Sequence, residues 1–260
     1  MTFRAFMPAV LLMVCACGCA SYATPGRGAD LTAVGAPKAS DFGPGTDATI
    51  RQSFDKRPQA HFPASVAVAR IQSPNYTSYS ELQRVGEGRF SVITTRDVET
   101  PAQFERLSKL PQVRGIAPIS RMLIQGQRLD SELPLRQAAA QLQADMLLIY
   151  TLDTVFDTRE KGSPLTMISL GLAPNQQVRV TTTASALLMD TRNGYLYGLA
   201  EANARHERFT NSWENRESID ESRRSTETEA FDKLVGELET TWRNVVATYA
   251  AEPRVANQAQ

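Results

Sequence analysis

The sequence predicts an α/β or α+β domain in which a mixed β-sheet is packed by helices and a long amphipathic helix follows the last strand. Three observations predict it. The stretch Asp145–Phe156 begins as a continuous apolar run, which is typical of a central strand covered on both faces. Two strand-like stretches follow, joined by the turn-forming pair Asn193-Gly194. A helical apolar stripe then runs from Phe231 to Tyr249.

The elements before the central strand are shorter. Alternation over Ala64–Ile71 predicts a first strand, and β-branched residues over Phe90–Arg96 predict a second. Thr100-Pro101 is typical of a helix N-cap followed by its first turn. The apolar stretch Gly115–Ile124 fits either a strand or an extended connection. Apolar residues at helical spacing predict a helix over Ser131–Ala144.

The elements after the central strand carry the clearest signals. Val178–Met189 and Tyr195–Phe209 predict a hairpin. The last helix has apolar residues at steps of 3, 4, 4, 3 and 4, namely Phe231, Leu234, Leu238, Trp242, Val245 and Tyr249. The helix could begin at either of two capping boxes, one at Ser218 and one at Thr226, and Pro253 marks its end. We expect the stripe to pack on the domain's own sheet; the alternative is a coiled-coil seam.

Composition excludes several classes of protein. The chain of 260 residues has 28 Lys+Arg against 28 Asp+Glu and is 42% hydrophobic, which is ordinary for a globular protein. With no excess of positive charge, a nucleic-acid partner is not expected. The three cysteines all lie between residues 15 and 19, so a disulfide framework is not expected either.

The N-terminal residues have the pattern of an export signal. Arg4 precedes an apolar stretch, Phe6–Ala16, of 11 residues, which is too short for the ~20 residues that span a bilayer. The following Gly18-Cys19-Ala20 resembles the lipobox of bacterial lipoproteins. In that family the cysteine thiol takes a diacylglycerol, the signal is cut before it, and the new amine is acylated, commonly with palmitate. We expect lipidation at Cys19, with Cys17 as the alternative register.

The lipobox resemblance sets the expected organisation of the chain. Residues 1–18 would be the signal peptide, 19–62 a lipidated, flexible Gly- and Pro-rich tether, 63–252 a single α/β periplasmic domain and 253–260 a disordered tail. Ala20, not Asp, follows the anchor, which by resemblance to the Gram-negative sorting rule implies the periplasmic face of the outer membrane.

No motif for catalysis, metal or cofactor binding stands out. His61 and His206 are isolated, and the cysteines belong to the signal, so we expect neither a metal site nor a cofactor beyond the lipid. His206 beside Glu201 or Glu207 is a weak general-base candidate, and Asp145 with Asp153 is a weak carboxylate pair. Arg223-Arg224, among acidic residues, predicts a solvated helix face; the alternative is a site for an anionic ligand.

One segment between two predicted strands is unusually apolar. It is bounded by prolines and contains Leu165, Met167, Ile168, Leu170 and Leu172. Connections are usually polar. The segment is therefore either an extra buried strand or loop, or an exposed surface that contacts a protein partner or lipid.

The segment Ala138–Tyr150 carries a family resemblance. Its pattern, AAAQLQADMLLIY, resembles the helix-then-strand segment of bacterial envelope lipoproteins whose domains look like the N-terminal domain of TolB and the curli-secretion lipoprotein. Within these it is similar to the rhombotarget lipoprotein family over about residues 64–250. The final residues, Glu252–Gln260, carry no Gly-Gly sorting tail, so processing by a rhomboid-type protease is not expected.

These expectations together favour a non-enzymatic binding or assembly module. The module would be held at the membrane by its lipid and would meet a protein partner in the cell envelope. Two alternatives stay open: an envelope hydrolase with scattered Ser, Asp and His206, and an oligomeric secretion scaffold.

Overall fold

A computed structural model describes residues 28–29, 31, 34, 46–74, 76, 84–160, 176–210 and 216–250. The strands are β1 (Ala64–Gln72), β2 (Arg84–Val85), β3 (Glu87–Gly88), β4 (Ser91–Ile93), β5 (Val113–Pro118), β6 (Arg128–Leu129), β7 (Met146–Glu160), β8 (Gln176–Asp190) and β9 (Leu196–Thr210). The helices are α1 (Thr46–Asp55), α2 (Pro101–Ser108), α3 (Arg121–Ile124), α4 (Leu133–Gln141) and α5 (Arg216–Val245), the last followed by a π-helical turn, Val246–Ala250.

Strand β1 is the branching point of a seven-stranded mixed sheet. One edge of β1 pairs in parallel with β7. The opposite edge is shared: residues 64–68 pair in parallel with β5, and residues 70–72 pair antiparallel with β4. Strands β4 and β5 therefore follow one another along the same edge and diverge beside Val68–Arg70. The sheet confirms the predicted fold class.

Strands β7, β8 and β9 form a long antiparallel meander. The β7–β8 ladder runs without a break from the pair Met146–Asp190 to the pair Glu160–Gln176. Strand β9 pairs along β8, with one register shift at Leu188/Met189. The turn between β8 and β9 contains Gly194 at φ +69°, a conformation that glycine adopts without strain. The predicted hairpin is thus present.

Both faces of the sheet are covered at the start of β7, as its apolar run predicts. Met146 and Leu148 lie in a core with α5 and α2. The alternate residues Leu147 and Ile149 lie in a second core with α4 and α3. This alternation follows from the two-residue period of a strand, which sends successive side chains to opposite faces.

Helix α5 packs its apolar stripe on its own sheet. Phe231, Leu234, Leu238, Trp242 and Val245 are buried there, and the Trp242 indole donates a hydrogen bond to the Pro111 carbonyl at 2.7 Å. Each such side chain removed from water contributes about 1.5–3 kcal/mol. The prediction of intramolecular packing is therefore confirmed.

Three predicted elements differ in extent from those observed. Only Ser91–Ile93 of the predicted strand Phe90–Arg96 pairs with a neighbour, because the chain leaves the β1 edge after Ile93. The ambiguous stretch Gly115–Ile124 divides into the end of β5 and α3. Helix α4 ends at Gln141, because Gln143 has a left-handed φ of 54° that no helix continues.

Part of the predicted tether contacts the sheet. The backbone amides of Gly28 and Ala29 donate hydrogen bonds to the side chains of Asp153 and Thr151 on β7. Ala29 and Val34 are buried in the second core. Among the helices of the described residues, none has the length and apolar character needed to cross a membrane.

Candidate functional site

A network of buried charges lies between α5 and the sheet. Two buried arginines, Arg70 of β1 and Arg223 of α5, form ion pairs there. Their partners are four carboxylates that come from α5 and from the segment between β4 and α2, namely Asp97, Glu99, Asp220 and Glu227. Buried charges persist only when they are paired, so the network must form as a unit.

Arg223 is the hub on the helix. Its Nε donates to Asp220 Oδ1 at 2.9 Å and its Nη2 to Asp97 Oδ2 at 3.0 Å. Its Nη1 donates to the Tyr76 hydroxyl at 3.0 Å and also to Glu227 Oε2. Arg223 is 1% exposed, so these contacts replace its hydration almost completely.

Arg70 is the hub on the sheet. Its Nη1 donates to Asp97 Oδ1 at 2.8 Å and to Glu99 Oε1 at 3.3 Å. Its Nη2 lies 3.6 Å from Glu227 Oε2, within an ion pair but beyond a hydrogen bond. Arg70 and Arg223 therefore share Asp97 and Glu227, which ties β1 to α5.

Hydroxyl groups complete the network. Tyr150 donates to Glu99 Oε1 at 2.6 Å, and Tyr76 donates to Glu227 Oε1 at 2.9 Å. Thr154 of β7 donates to the same Glu227 oxygen at 2.8 Å. Helix α5 is thereby linked by side chains to both central strands.

The pKa values respond to burial and to the two arginines. Burial alone would raise the pKa of Asp97, but Arg70 and Arg223 outweigh it and hold that pKa below its usual value. At Glu227, burial prevails over the same two arginines and raises the pKa of the carboxyl. Burial, and next the Glu99 carboxylate, raise the pKa of Tyr150 well above its ordinary value, so this tyrosine stays a neutral donor.

A cavity of about 320 Å³ adjoins the network where β4 and β5 diverge. Its walls include the residues at which these strands end and those that follow, Ile93–Arg96 and Pro118–Arg121. Arg70, Glu99 and Tyr150 also line it, so one side of the cavity is part of the charge network.

Two side chains that line this cavity have unmet hydrogen-bonding capacity. Within the described part of the chain, Glu99 Oε2 and Arg70 Nε are buried and have no hydrogen-bond partner. An unpartnered buried polar atom costs roughly 1–3 kcal/mol, so proteins keep few of them. Both side chains line the cavity, while these two atoms are themselves closed off from solvent.

The chemistry available here is recognition by charge and hydrogen bonds. No cluster of three or more His, Cys, Asp or Glu side chains among the described residues could hold a metal ion. The carboxylates accept hydrogen bonds from arginine, tyrosine or threonine, which stabilises them in place. Such an arrangement provides an acceptor at Glu99 and guanidinium donors beside it.

The two aspartates considered as a carboxylate pair, Asp145 and Asp153, lie far apart in the structure. Asp145 accepts hydrogen bonds from the Ser65 amide, Arg114 and Arg192, all between 3.0 and 3.1 Å, and so joins three segments of the domain. Asp153 accepts from the Gly28 amide instead. Eight residues of strand separate the two aspartates by roughly 26 Å, so they do not form a pair.

His206 lies on the surface and pairs with a residue that was not among its predicted partners. Its Nε2 is 2.6 Å from Glu229 Oε2 on α5, and both side chains are more than two-fifths exposed. Exposed pairs of this kind contribute about 0–1 kcal/mol. The cysteines of the predicted lipobox, Cys17 and Cys19, and the apolar segment from Leu165 to Leu172 lie outside the described residues.

The prediction of a solvated face at Arg223-Arg224 is wrong for Arg223. Arg224 is half exposed and pairs with Asp220 at 3.1 Å, whereas Arg223 faces the sheet. The signal was present, because Asp220, Arg223 and Glu227 continue the apolar stripe toward its N-terminus at the same steps of 3 and 4. A charged stretch in register with an apolar stripe indicates a buried network.

Neither a protein-family model nor a curated protein matches the sequence. Similar solved structures include lipoprotein GNA1162 of Neisseria meningitidis, at 14% identity over 71% of this chain and 99% of that one, with a TM-score of 0.26. A Caulobacter crescentus chain assigned as a lipoprotein matches at 11% identity, over 46% of this chain and 80% of that one, with a TM-score of 0.26. The PelC dodecamer of Paraburkholderia phytofirmans matches at 13% identity, over 69% of this chain and 94% of that one, with a TM-score of 0.23. With TM-scores below 0.5, these likenesses carry no conclusion about the chain, and its function rests on its own residues.

Proposed function

We propose that this protein is a lipid-anchored binding module on the periplasmic face of the outer membrane. It acts without catalysis and without a cofactor beyond its lipid, and its partner is another protein of the cell envelope. The cavity beside Arg70 and Glu99 carries the binding part of the proposal. Gly18-Cys19-Ala20 supports the anchor, and the helix-then-strand segment Ala138–Tyr150 supports kinship with TolB-like and rhombotarget-type envelope lipoproteins.

Recognition fits the site better than turnover does. A general base must be free to accept a proton from a substrate. The carboxylates beside the cavity are instead fixed by arginine and tyrosine donors, and the surface imidazole of His206 lies against Glu229, on a different part of α5. Among the described residues, Glu99 Oε2 and Arg70 Nε are the atoms of these two cavity-lining side chains that we single out as lacking a hydrogen-bond partner.

The anchor is tested by replacing its cysteine. We expect Cys19→Ala to move the protein from the outer-membrane fraction of a sucrose gradient to the soluble periplasm. Cys17→Ala is the matched control and should leave fractionation unchanged. Mass spectrometry that finds an unmodified Cys19 in membrane-bound protein would contradict the assignment, and lipid on Cys17 would select the other register.

The partner is tested by crosslinking in intact cells. A photoreactive amino acid is placed at Met122, which is 83% exposed and next to Arg121 at the cavity, and separately at Phe54, which is 78% exposed on α1. We expect one adduct with a single envelope protein, identified by mass spectrometry, from position 122 and not from position 54. An adduct with a second copy of this chain would favour the secretion scaffold, and identical adduct patterns from both positions would contradict the module.

A further inference from the structure

We propose that strand β9 pairs with β9 of a second copy of this chain, antiparallel and centred on Asn203, so that two sheets join edge to edge. The cavity of the proposed function lies beside β4 and β5, on the opposite side of the sheet, and takes no part in this contact. The pairing would make the module a closed, two-fold symmetric dimer.

Strand β9 is the terminal strand of the sheet. It pairs with β8 alone among the described residues. Its 15 residues present a row of backbone N–H and C=O groups to the open edge, and such a row is what an added strand pairs with. The opposite edge is formed by β2, of two residues, and β5, of six. Among the described edge strands, β9 is therefore matched in length only by another β9.

The backbone groups of Asn203 face the open edge. The Asp190 amide donates to the Tyr195 carbonyl at 2.8 Å, so the even-numbered residues of β8 bond to β9. Thr183, opposite Asn203, is odd-numbered and bonds to β7 instead. The Asn203 carbonyl accordingly points away from β8 and accepts a hydrogen bond from Lys233 Nζ at 3.2 Å. By the same alternation, the odd-numbered residues on either side of Asn203 face outward too.

Charge selects the register of the pairing. Glu201, Asn203 and Arg205 follow one another on the same exposed face of β9. An antiparallel pair centred on Asn203 sets Glu201 of each copy opposite Arg205 of the other. Among the five centres from position 201 to position 205, this one alone sets a glutamate opposite an arginine. Opposite charges at facing positions stabilise a strand pair, and like charges destabilise it.

Both charged side chains are available for this contact. Glu201 is exposed and accepts a hydrogen bond from the neutral Ser185 hydroxyl at 3.2 Å. Arg205 is 50% exposed and donates from Nη2 to Glu207. A guanidinium carries five N–H donors, so Arg205 can keep this bond and still meet Glu201 of a second copy.

The two membrane tethers emerge on the same face of such a dimer. The two-fold axis of an antiparallel strand pair is perpendicular to the sheet, so equivalent faces of the two copies lie on the same side. The Gly28 amide bonds to Asp153, which alternates with Leu152 and Thr154 on the face toward α5. Both tethers therefore leave on the face away from α5. If Cys19 carries the lipid, as the proposed function has it, both lipids reach one bilayer.

Lys233 controls access to the open edge. Its Nζ also pairs with Glu229 at 2.8 Å, so it can release the Asn203 carbonyl and keep its ion pair. Lysines at an open edge protect it against indiscriminate pairing. We therefore expect Lys233→Ala to favour the dimer.

Disulfide crosslinking of the full chain in isolated membranes tests the register. Facing residues of a hydrogen-bonded antiparallel pair have Cα atoms about 5.5 Å apart, which a disulfide spans. We expect Asn203→Cys to form a covalent dimer under mild oxidation. Glu201→Cys is the matched control, because it lies roughly 14 Å from its own copy and should react only when co-expressed with Arg205→Cys. The unaltered chain measures the background from the native cysteines.

Two outcomes of the crosslinking would overturn the inference. One is the absence of a dimer from Asn203→Cys in chain recovered from the membrane fraction. The other is an equal yield from Asn203→Cys and from Glu201→Cys alone, which would show random collision. Fractionation of Cys19→Ala tests the anchor separately, so failure of the pairing and failure of the proposed function are distinguishable.

A charge swap separates pairing from folding. In the Asn203→Cys chain, Glu201→Arg should slow dimer formation about tenfold, because it sets arginine opposite arginine twice. Adding Arg205→Glu restores the opposite charges and should restore the rate, which a folding defect would not do. Circular dichroism checks that the variants fold alike. A rate that is unchanged by Glu201→Arg, or one that Arg205→Glu fails to restore in folded protein, would reject the register.

Discussion

Replacing Arg223 by alanine should destabilise the domain far more than the same change at its neighbour Arg224. Arg223→Ala removes the buried cationic partner of Asp97, Asp220 and Glu227, and Arg70 remains as a buried cation beside Asp97 and Glu227. Breaking a buried pair in this way costs about 3–5 kcal/mol. At ~2–4 °C per kcal/mol for a domain of this size, the melting temperature should fall by roughly 6–20 °C.

Arg224→Ala is the matched control on the same turn of α5. Its side chain is 50% exposed and pairs with Asp220, so its loss should cost less than about 1 kcal/mol. Both variants are measured by thermal and urea denaturation monitored by circular dichroism. Equal losses of stability in the two variants would refute the account of Arg223 as the hub of the network.

The pH dependence of Arg223→Ala provides a second check. The pKa of Asp97 in the folded protein is below its unfolded value, near 3.9, because Arg70 and Arg223 outweigh its burial. Its stabilisation is therefore present above about pH 4 and is lost as the pH falls through the folded pKa. Without Arg223 that pKa rises, so the stability deficit of the variant should be largest near neutral pH and should shrink toward pH 4. A deficit independent of pH would contradict the electrostatic explanation.

Three other predictions follow from the structure and the sequence. Trp242→Ala should cost about 3–5 kcal/mol in urea denaturation, because the indole is buried on the sheet; altered self-association with unchanged stability would instead favour a coiled-coil seam. Asp145→Asn should cost about 2–3 kcal/mol at pH 7. Since Asp145 has a lowered pKa, held down against burial by Ser65 and Arg192, this loss should disappear as the pH falls below about 4. Polar replacement of Met167, Ile168 and Leu170 together should leave the melting temperature nearly unchanged if they form a docking surface, and a loss of several kcal/mol would show that they are core.

Periodicity predicted the elements whose burial is apolar. The continuous apolar run at the start of β7 indicates a strand covered on both faces, and the apolar repeat of 3 to 4 positions in α5 indicates a helix with one covered face. The buried charges were not found, because Arg223 and Glu227 have the composition of a solvated helix. Their register with Phe231, not their residue type, indicates that they face the sheet.

The cavity could not be predicted from local pattern at all. It exists because β4 and β5 share one edge of β1 and then diverge, and this pairing joins residues that are far apart in the chain. Neither strand carries a signal for the other, and β4 is only three residues long. Alternation over Ala64–Ile71 predicts a strand but gives no sign that Arg70 is buried, because its charged partners come from α5 and from the segment after β4.

The contact between Gly28 and Asp153 limits how far the domain can move from a membrane. If Cys19 carries the lipid, nine residues of chain link it to this contact, and a chain of that length spans at most about 30 Å. The linker between the lipid and the domain would then be short, and it would keep the middle of β7 near the lipid headgroups. Strand β7 continues for seven residues beyond Asp153, roughly 23 Å. The paired ends of β7 and β8, at Glu160 and Gln176, would consequently be within reach of the bilayer, and a shorter or longer linker should change which surface they meet.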